Sequence, residues 1–215
     1  MQLVYLHGFA TTPAIWYQQS PECAPQLDFS DLDEESARLA TNLDPGTVLI
    51  GWSMGGMVAI KTALLVPEKI KGLILISSTP KFIKCDDYGC GLEESLLKRL
   101  QKKIKAEGIE AFHNLVFGKY RPEGLANLTA EKAERELNEL GRTDVRSLLT
   151  GIAAPTLILH GTADEICPPS AARFMLSRIQ KSEIVLLQEI KHAPLIEAPG
   201  LLNFHIQRFI ERYVK

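Results

Sequence analysis

No two cysteines in this chain stand at C-x-x-C spacing. Cys23, Cys85, Cys90 and Cys167 are scattered over 215 residues, with no histidines at zinc-ligand spacing. That pattern argues against a zinc site or a disulfide scaffold and predicts free thiols in a reducing cytoplasm, with a Cys85–Cys90 bridge the only pairing left open. Long apolar runs are missing as well. Nothing approaches the ~20 residues that span a bilayer, and no basic segment leads into an apolar stretch at the start. Charge of one sign is not in excess either: 24 Lys and Arg stand against 26 Asp and Glu, a net charge of −2. Composition thus gives no electrostatic reason to expect nucleic acid or a membrane surface as partner. Repeats and low-complexity stretches are absent. What remains is a chain 46% hydrophobic, the size of one domain with room for an insertion.

The informative stretch is Gly51-Trp52-Ser53-Met54-Gly55-Gly56. Thr47–Ile50 before it reads as a buried strand, and Met57–Leu65 after it as a helix ending ahead of Pro67. Strand, Gly-x-Ser-x-Gly, helix is the setting of a nucleophile elbow. The serine must sit on a tight, strained turn so that its hydroxyl stands clear, and flanking glycines make room for that turn. The Met54 amide then points at any oxygen on a carbon attacked by Ser53.

In chain order, Gln2–Leu6 reads as a strand running into His7-Gly8-Phe9, a turn that offers the Phe9 amide as second oxyanion donor. Ala14–Ser20 reads as helical. Residues 23–36 suggest a short edge strand, followed by a helix from about Leu32 to Asn42. Lys71–Ser77 is a near-continuous apolar run, the mark of a strand buried on both faces. From 80 to 150 the composition turns polar, with amphipathic segments at Leu92–Ala106, Ile109–Val116 and Thr129–Leu140, an insertion lying over the sheet. Alternation resumes with strand Thr156–His160, helix Pro169–Arg178, strand Glu183–Leu187 and helix Leu201–Tyr213. Residues 1–79 and 151–215 thereby form a mostly parallel, doubly wound α/β core.

A serine nucleophile needs a base, and the base an orienting carboxylate. Asp164 follows the strand ending at His160, and His192 follows the strand ending at Leu187. Both belong to the carboxyl edge of the sheet, where ligands bind in open α/β folds. Ser53, Asp164 and His192 are therefore the expected triad, with Glu165 the rival acid. Of the other histidines, His7 is expected to brace the oxyanion loop and His160 to lie in the core. His113 and His205 fall on helices with no partner to name.

The frame Leu3–Phe9, the Gly-Trp-Ser-Met-Gly-Gly elbow, Pro67–Pro80, Pro155–Asp164 and His192-Ala-Pro-Leu resembles the α/β-hydrolase superfamily over nearly the whole chain outside the insertion. Trp52 before the serine, Ser77-Ser-Thr-Pro-Lys-Phe and His192-Ala-Pro are similar to the pimeloyl–acyl-carrier-protein methyl ester carboxylesterases of biotin synthesis. The resemblance implies a serine carboxylesterase with Phe9 and Met54 as oxyanion donors and a helical cap over an acyl pocket. Three departures stand out. The chain opens at the His-Gly strand without the usual leading hairpin, residues 28–36 lack the glycines of the family's second loop, and the cap is short.

The expected chemistry is ester hydrolysis through an acyl-enzyme, with no metal or organic cofactor required. Thioesterase, lactonase or perhydrolase activity on the same triad is the alternative, and a non-catalytic small-molecule-binding protein of this fold is a more distant one. Trp52, Phe112 and Phe117 are candidate pocket walls. Leu92, Leu96, Leu97, Leu100 and Ile104 share one helix side as a buried stripe, and Lys98, Arg99, Lys102, Lys103 and Lys105 are placed opposite it. That basic face is read either as solvated surface or as a dock for an acidic acyl-carrier protein.

Overall fold

The computed structural model describes residues 1–214. Five strands, β1 (Gln2–Leu6), β2 (Thr47–Trp52), β3 (Ile70–Ile76), β4 (Thr156–Gly161) and β5 (Ser182–Leu187), form one sheet in the order β1-β2-β3-β4-β5. Every neighbouring pair is parallel. β2 is buried at all six positions, so its run of apolar residues answers to helices on both faces rather than to alternation with solvent.

Two glycines show which helix covers which face. A side chain on Gly51 would collide with Gly55 and Gly56 of α2 (Met54–Leu65). Gly72 of β3, level with Val48, instead looks onto Phe209 and Val214, in and just beyond α8 (Pro199–Tyr213). Val48 and Gly51 are three residues apart and so point to opposite sides of the sheet. α2 therefore covers one face, together with α1 (Leu32–Thr41) and α6 (Pro169–Arg178), and α8 covers the other. Helix α1 starts where Asp31 accepts the amides of Asp33 and Glu34, an N-cap worth about 1 kcal/mol.

Between β3 and β4 the chain leaves the sheet for α3 (Glu94–Glu107), α4 (Glu110–Phe117) and α5 (Ala130–Arg142), and α3 packs on both others. After β5 comes the short α7 (Pro194–Glu197).

Two expectations fail locally. The short edge strand after Cys23 reduces to a single bridge to Val4, with the Tyr5 amide donating to the Cys23 carbonyl. Pro25, two residues on, has no amide with which to extend a ladder. The helix expected at 14–20 closes only as a 3-10 turn, Pro13–Trp16. All four cysteines are free. Among the described residues no helix is long and apolar enough to cross a membrane.

Candidate active site

Ser53 sits between β2 and α2 at φ 54°, ψ −121°, a region that costs a non-glycine residue about 1–3 kcal/mol. Its neighbours hold it there. The Ser53 amide donates to the Ile76 carbonyl at 2.9 Å, and the Ser78 hydroxyl donates to the Ser53 carbonyl at 2.8 Å. Gly55 is obligatory because any Cβ there would strike the backbone of Leu6 and His7. The strain turns the hydroxyl outward, where Ser53 Oγ lies 3.0 Å from His192 Nε2. On the far side of the ring, Nδ1–H of His192 donates to Asp164 Oδ2 at 2.9 Å.

Asp164 is buried, and its other oxygen accepts the amides of Ile166 and Cys167, each at 2.9 Å. Burial alone would raise its pKa. The charge of His192 and hydrogen bonds from His160 and His192 outweigh burial and hold the carboxyl well below the usual range. It remains a carboxylate, which fixes the imidazole with Nδ1 protonated and Nε2 free to take the serine proton. His160 is thus more than core filling: its Nε2 lies 2.7 Å from the Cys167 carbonyl and 3.3 Å from Asp164 Oδ2. Glu165 lines the neighbouring cavity, and it is Asp164 that faces His192.

The loop expected to offer the Phe9 amide is assembled around His7. The Leu27 amide donates to His7 Nε2 at 3.0 Å, so Nδ1 carries the proton and donates to the Gly8 carbonyl at 2.9 Å. Desolvation lowers the His7 pKa to about 4, which keeps the ring neutral and that tautomer in place. Thr11 Oγ1 donates to the same Gly8 carbonyl at 2.8 Å. Beyond this brace, the amides of Phe9 and Met54 have no acceptor among the described residues, and both residues border the cavity beside Ser53. Met54 also opens a 12-residue helix, whose positive end favours negative charge at that point.

The cavity encloses about 330 Å³. Phe82, Leu97, Phe112, Val116, Leu137 and Leu140 give it apolar walls, and Arg99, Lys103 and Lys191 bring cations to its lining. Phe112 is a wall residue and meets Phe9 edge-on at 4.8 Å. Trp52 and Phe117, also expected as walls, do not reach the cavity. Trp52 follows Gly51 on β2 and so turns to the opposite face, where its indole N–H donates to the His192 carbonyl at 2.8 Å. Phe117, at the end of α4, packs on that indole.

The basic face of α3 also divides. Residues 96, 99, 100 and 103 form one row at helical spacing, Leu92 stands ahead of the helix in a bridge to Ile83 and not on the stripe expected of it, and all five line the cavity. Arg99 and Lys103 therefore stand beside the apolar stripe, not opposite it. Lys98, Lys102 and Lys105 are exposed on the far side, with Lys98 paired to Glu94 at 2.8 Å. Of the stripe, Leu97 and Ile104 are buried while Leu96 is 41% exposed. An apolar arc of five residues is too wide for every member to face inward. Sequence reasoning also left His113 without a partner; it is buried, and its Nε2 donates to the Ala10 carbonyl at 2.9 Å. No local pattern announces a bond across 103 residues.

The chain is similar to proteins already known. Residues 3–203 match the model of the alpha/beta hydrolase family. The pimeloyl-[acyl-carrier protein] methyl ester esterase of Nitrosospira multiformis is 34% identical, over 96% of this chain and 93% of its own length. The protein of the same name from Nitrosomonas europaea is 28% identical, over 92% and 90%. Among solved structures, an esterase from Exiguobacterium antarcticum superposes with a TM-score of 0.85 at 21% identity, covering 98% of this chain and 92% of that one. A hydrolase from Oleispira antarctica gives 0.84 at 20%, covering 99% and 92%.

Proposed function

The chain belongs to the alpha/beta hydrolase family and is an ester hydrolase, and from that premise we propose that Ser53, His192 and Asp164 are its catalytic residues. The observation that carries this reading is the unbroken line of hydrogen bonds from Ser53 Oγ through His192 to Asp164, at 3.0 and 2.9 Å. His192 Nε2 takes the serine proton as Oγ attacks the ester carbonyl, and the Phe9 and Met54 amides hold the oxygen that becomes negative. His192 then delivers that proton to the departing alkoxide. Water then gives a proton to the same nitrogen as it attacks the acyl carbon. In a second passage through an oxyanion the acyl–Oγ bond breaks, His192 returns the proton to Ser53 Oγ and the carboxylic acid leaves. Asp164 keeps the imidazole in the working tautomer and stabilises its charged form.

Residues 80–150 act as the cap in this reading, and their helices supply most of the apolar lining. A cavity of 330 Å³ suits a medium-length acyl chain. The finer proposal is that the acyl group arrives on an acidic carrier protein, as a pimeloyl methyl ester. The names of the relatives support it, as do Arg99 and Lys103 on the cap helix beside the site.

The test pairs turnover with labelling. The wild-type protein should hydrolyse methyl esters and gain a fluorophosphonate adduct on Ser53. Ser53→Ala should lose both while keeping its circular dichroism and melting temperature. Most of the activity surviving in that variant contradicts the assignment. A panel of methyl esters, free and carrier-bound, then reads the acyl preference.

A further inference from the structure

His113 lies on the cap, yet the one hydrogen bond of its side chain among the described residues goes to the oxyanion loop. The Ala10 carbonyl receives two donors, His113 Nε2 at 2.9 Å and the Ala126 amide at 3.0 Å, and both come from the segment between β3 and β4. Ala10 itself is held at φ 56°, the left-handed region that an alanine seldom enters unaided. Two residues on, the Thr12 amide donates to the Gly124 carbonyl at 2.7 Å, and Thr11 between them bridges Leu125. On the other side of Phe9 the anchors are core groups, His7 and Thr11 on the Gly8 carbonyl. The Phe9 amide is thus suspended between one clamp belonging to the core and another belonging to the cap.

Resting on the esterase reading above, we infer that His113 is a positioning residue for the oxyanion hole: through the Ala10 carbonyl it makes assembly of that hole depend on the cap being seated. His113 touches neither substrate nor the reacting atoms. Ala10 O is an acceptor only, so Nε2 must carry the proton, and Nδ1 is left buried with no hydrogen-bond partner among the described residues. Its nearest charged group, Glu110 Oε1, is 3.6 Å away on the same helix. A histidine buried with half its polar capacity unused is costly as plain packing, and the strained carbonyl it holds is what that placement serves. A cap lifted to admit an acyl chain releases the Ala10 carbonyl and lets the Phe9 amide drift. A cap closed on a fitting chain restores it. Acyl fit is thereby converted into transition-state stabilisation and not into binding alone.

The test compares His113→Leu, which removes the donor, with His113→Gln, which retains an N–H on a side chain of similar reach. For an alkyl methyl ester, the leucine variant should lower kcat about 30-fold with KM within a factor of two, because a displaced oxyanion donor acts only in the transition state. Affinity for an alkyl trifluoromethyl ketone, whose adduct carries the oxyanion, should fall in parallel. The glutamine variant should recover most of both. Equal kcat in wild-type and leucine variant, or a loss confined to KM or to melting temperature, overturns the inference. Hydrogen exchange reads the same clamp without turnover, through the two backbone amides that join it, Thr12 to the Gly124 carbonyl and Ala126 to the Ala10 carbonyl. In the leucine variant these two amides should exchange at least about tenfold faster while β1 and α2 keep wild-type rates. Unchanged protection of both amides sinks the role of His113 whether or not the protein is an esterase, whereas loss of protection in a protein inactive on every ester would count against the esterase reading alone.

Discussion

The loops that carry Asp164 and His192 are held from within the sheet, whereas the loop that carries Phe9 is held partly from outside it. Asp164 follows β4 and receives the Ile166 and Cys167 amides of its own loop, and Trp52 of β2 ties down the His192 carbonyl. Every one of those donors belongs to the α/β core. The Phe9 loop shares its anchors with Gly124, Ala126 and His113 of the cap. The proton-relay half of the site is therefore complete whenever the sheet is folded. The oxyanion half and the cavity are complete only when the cap is in place. In the proposed function one half sets the reaction and the other selects the molecule on which it is carried out.

Breaking the core half should cost most. Asp164→Asn leaves the shape of the loop but favours the wrong imidazole tautomer, and kcat should fall about 10,000-fold with substrate binding retained. Steady-state kinetics and inhibitor binding check both parts; a larger loss from Glu165→Gln would move the acid to the neighbouring residue.

Changes in the cap half should be smaller and should alter selection. Arg99→Glu with Lys103→Glu, both at the cavity, should raise KM for a carrier-bound methyl ester about tenfold at low salt, with the difference fading above ~0.5 M. Lys98→Glu with Lys102→Glu, on the outward side of the same helix, should do less. The reverse ranking in a KM-against-salt series would place the carrier on the outer face. Phe112→Ala should shift the preferred acyl chain to longer esters by widening the wall, and Phe117→Ala should lower stability alone. A chain-length profile altered only by the second variant would exchange their roles.

The smallest effect is on stability, where the two halves carry buried carboxyls whose pKa values are moved in opposite directions. Asp164 is held low, so its contribution is present above the unfolded value near 4 and disappears as acid protonates it. Glu136 of α5 is buried, and desolvation raises its pKa to about 7 despite Lys132 nearby. Between about 4.5 and 7 the native chain retains a proton that the unfolded chain has released, so this group makes stability fall as pH rises. Glu136→Gln should therefore stabilise the protein by roughly 1–2 kcal/mol at pH 8 and by almost nothing at pH 4. Denaturant titrations at the two pH values decide it; equal gains at both would mean that the ionised side chain is not penalised in the fold.

The same division explains what could be read from the chain. Ser53 stands directly after β2, Asp164 three residues after β4 and His192 five after β5, so chain order and turn chemistry alone place them on one edge. The glycines of the elbow are dictated by backbone contacts that any strand-to-helix turn of this kind must make. The cap offered only helical periodicity. That was enough for α3, α4 and α5 to within a few residues, but it does not say which side of a helix meets which neighbour. Arg99 and Lys103 consequently looked like part of an outward basic face. Phe112 and Phe117 could not be ranked, since five residues along α4 suffice to move a ring from the cavity to the back of Trp52. His113 was opaque because its partner, Ala10, is 103 residues away and is specified by packing across the structure, whereas the partners of His160, Asp164 and Cys167, lie only four and seven residues on, in a loop whose path helical or strand periodicity does not describe.

The sequential strand order also has a kinetic side. About 17 residues separate β2 from β3, whereas roughly 80 separate β3 from β4. Closing the longer loop costs about 1.4 kcal/mol more entropy, close to a tenfold penalty on the encounter. Ser53 lies before that long excursion, and Asp164 and His192 lie after it. In a refolding chain β1, β2 and β3 can pair early, but the serine acquires its base only once the slow closure has brought β4 alongside β3. Reactivity of Ser53 is accordingly among the last native properties to appear, well after most of the helix and much of the sheet.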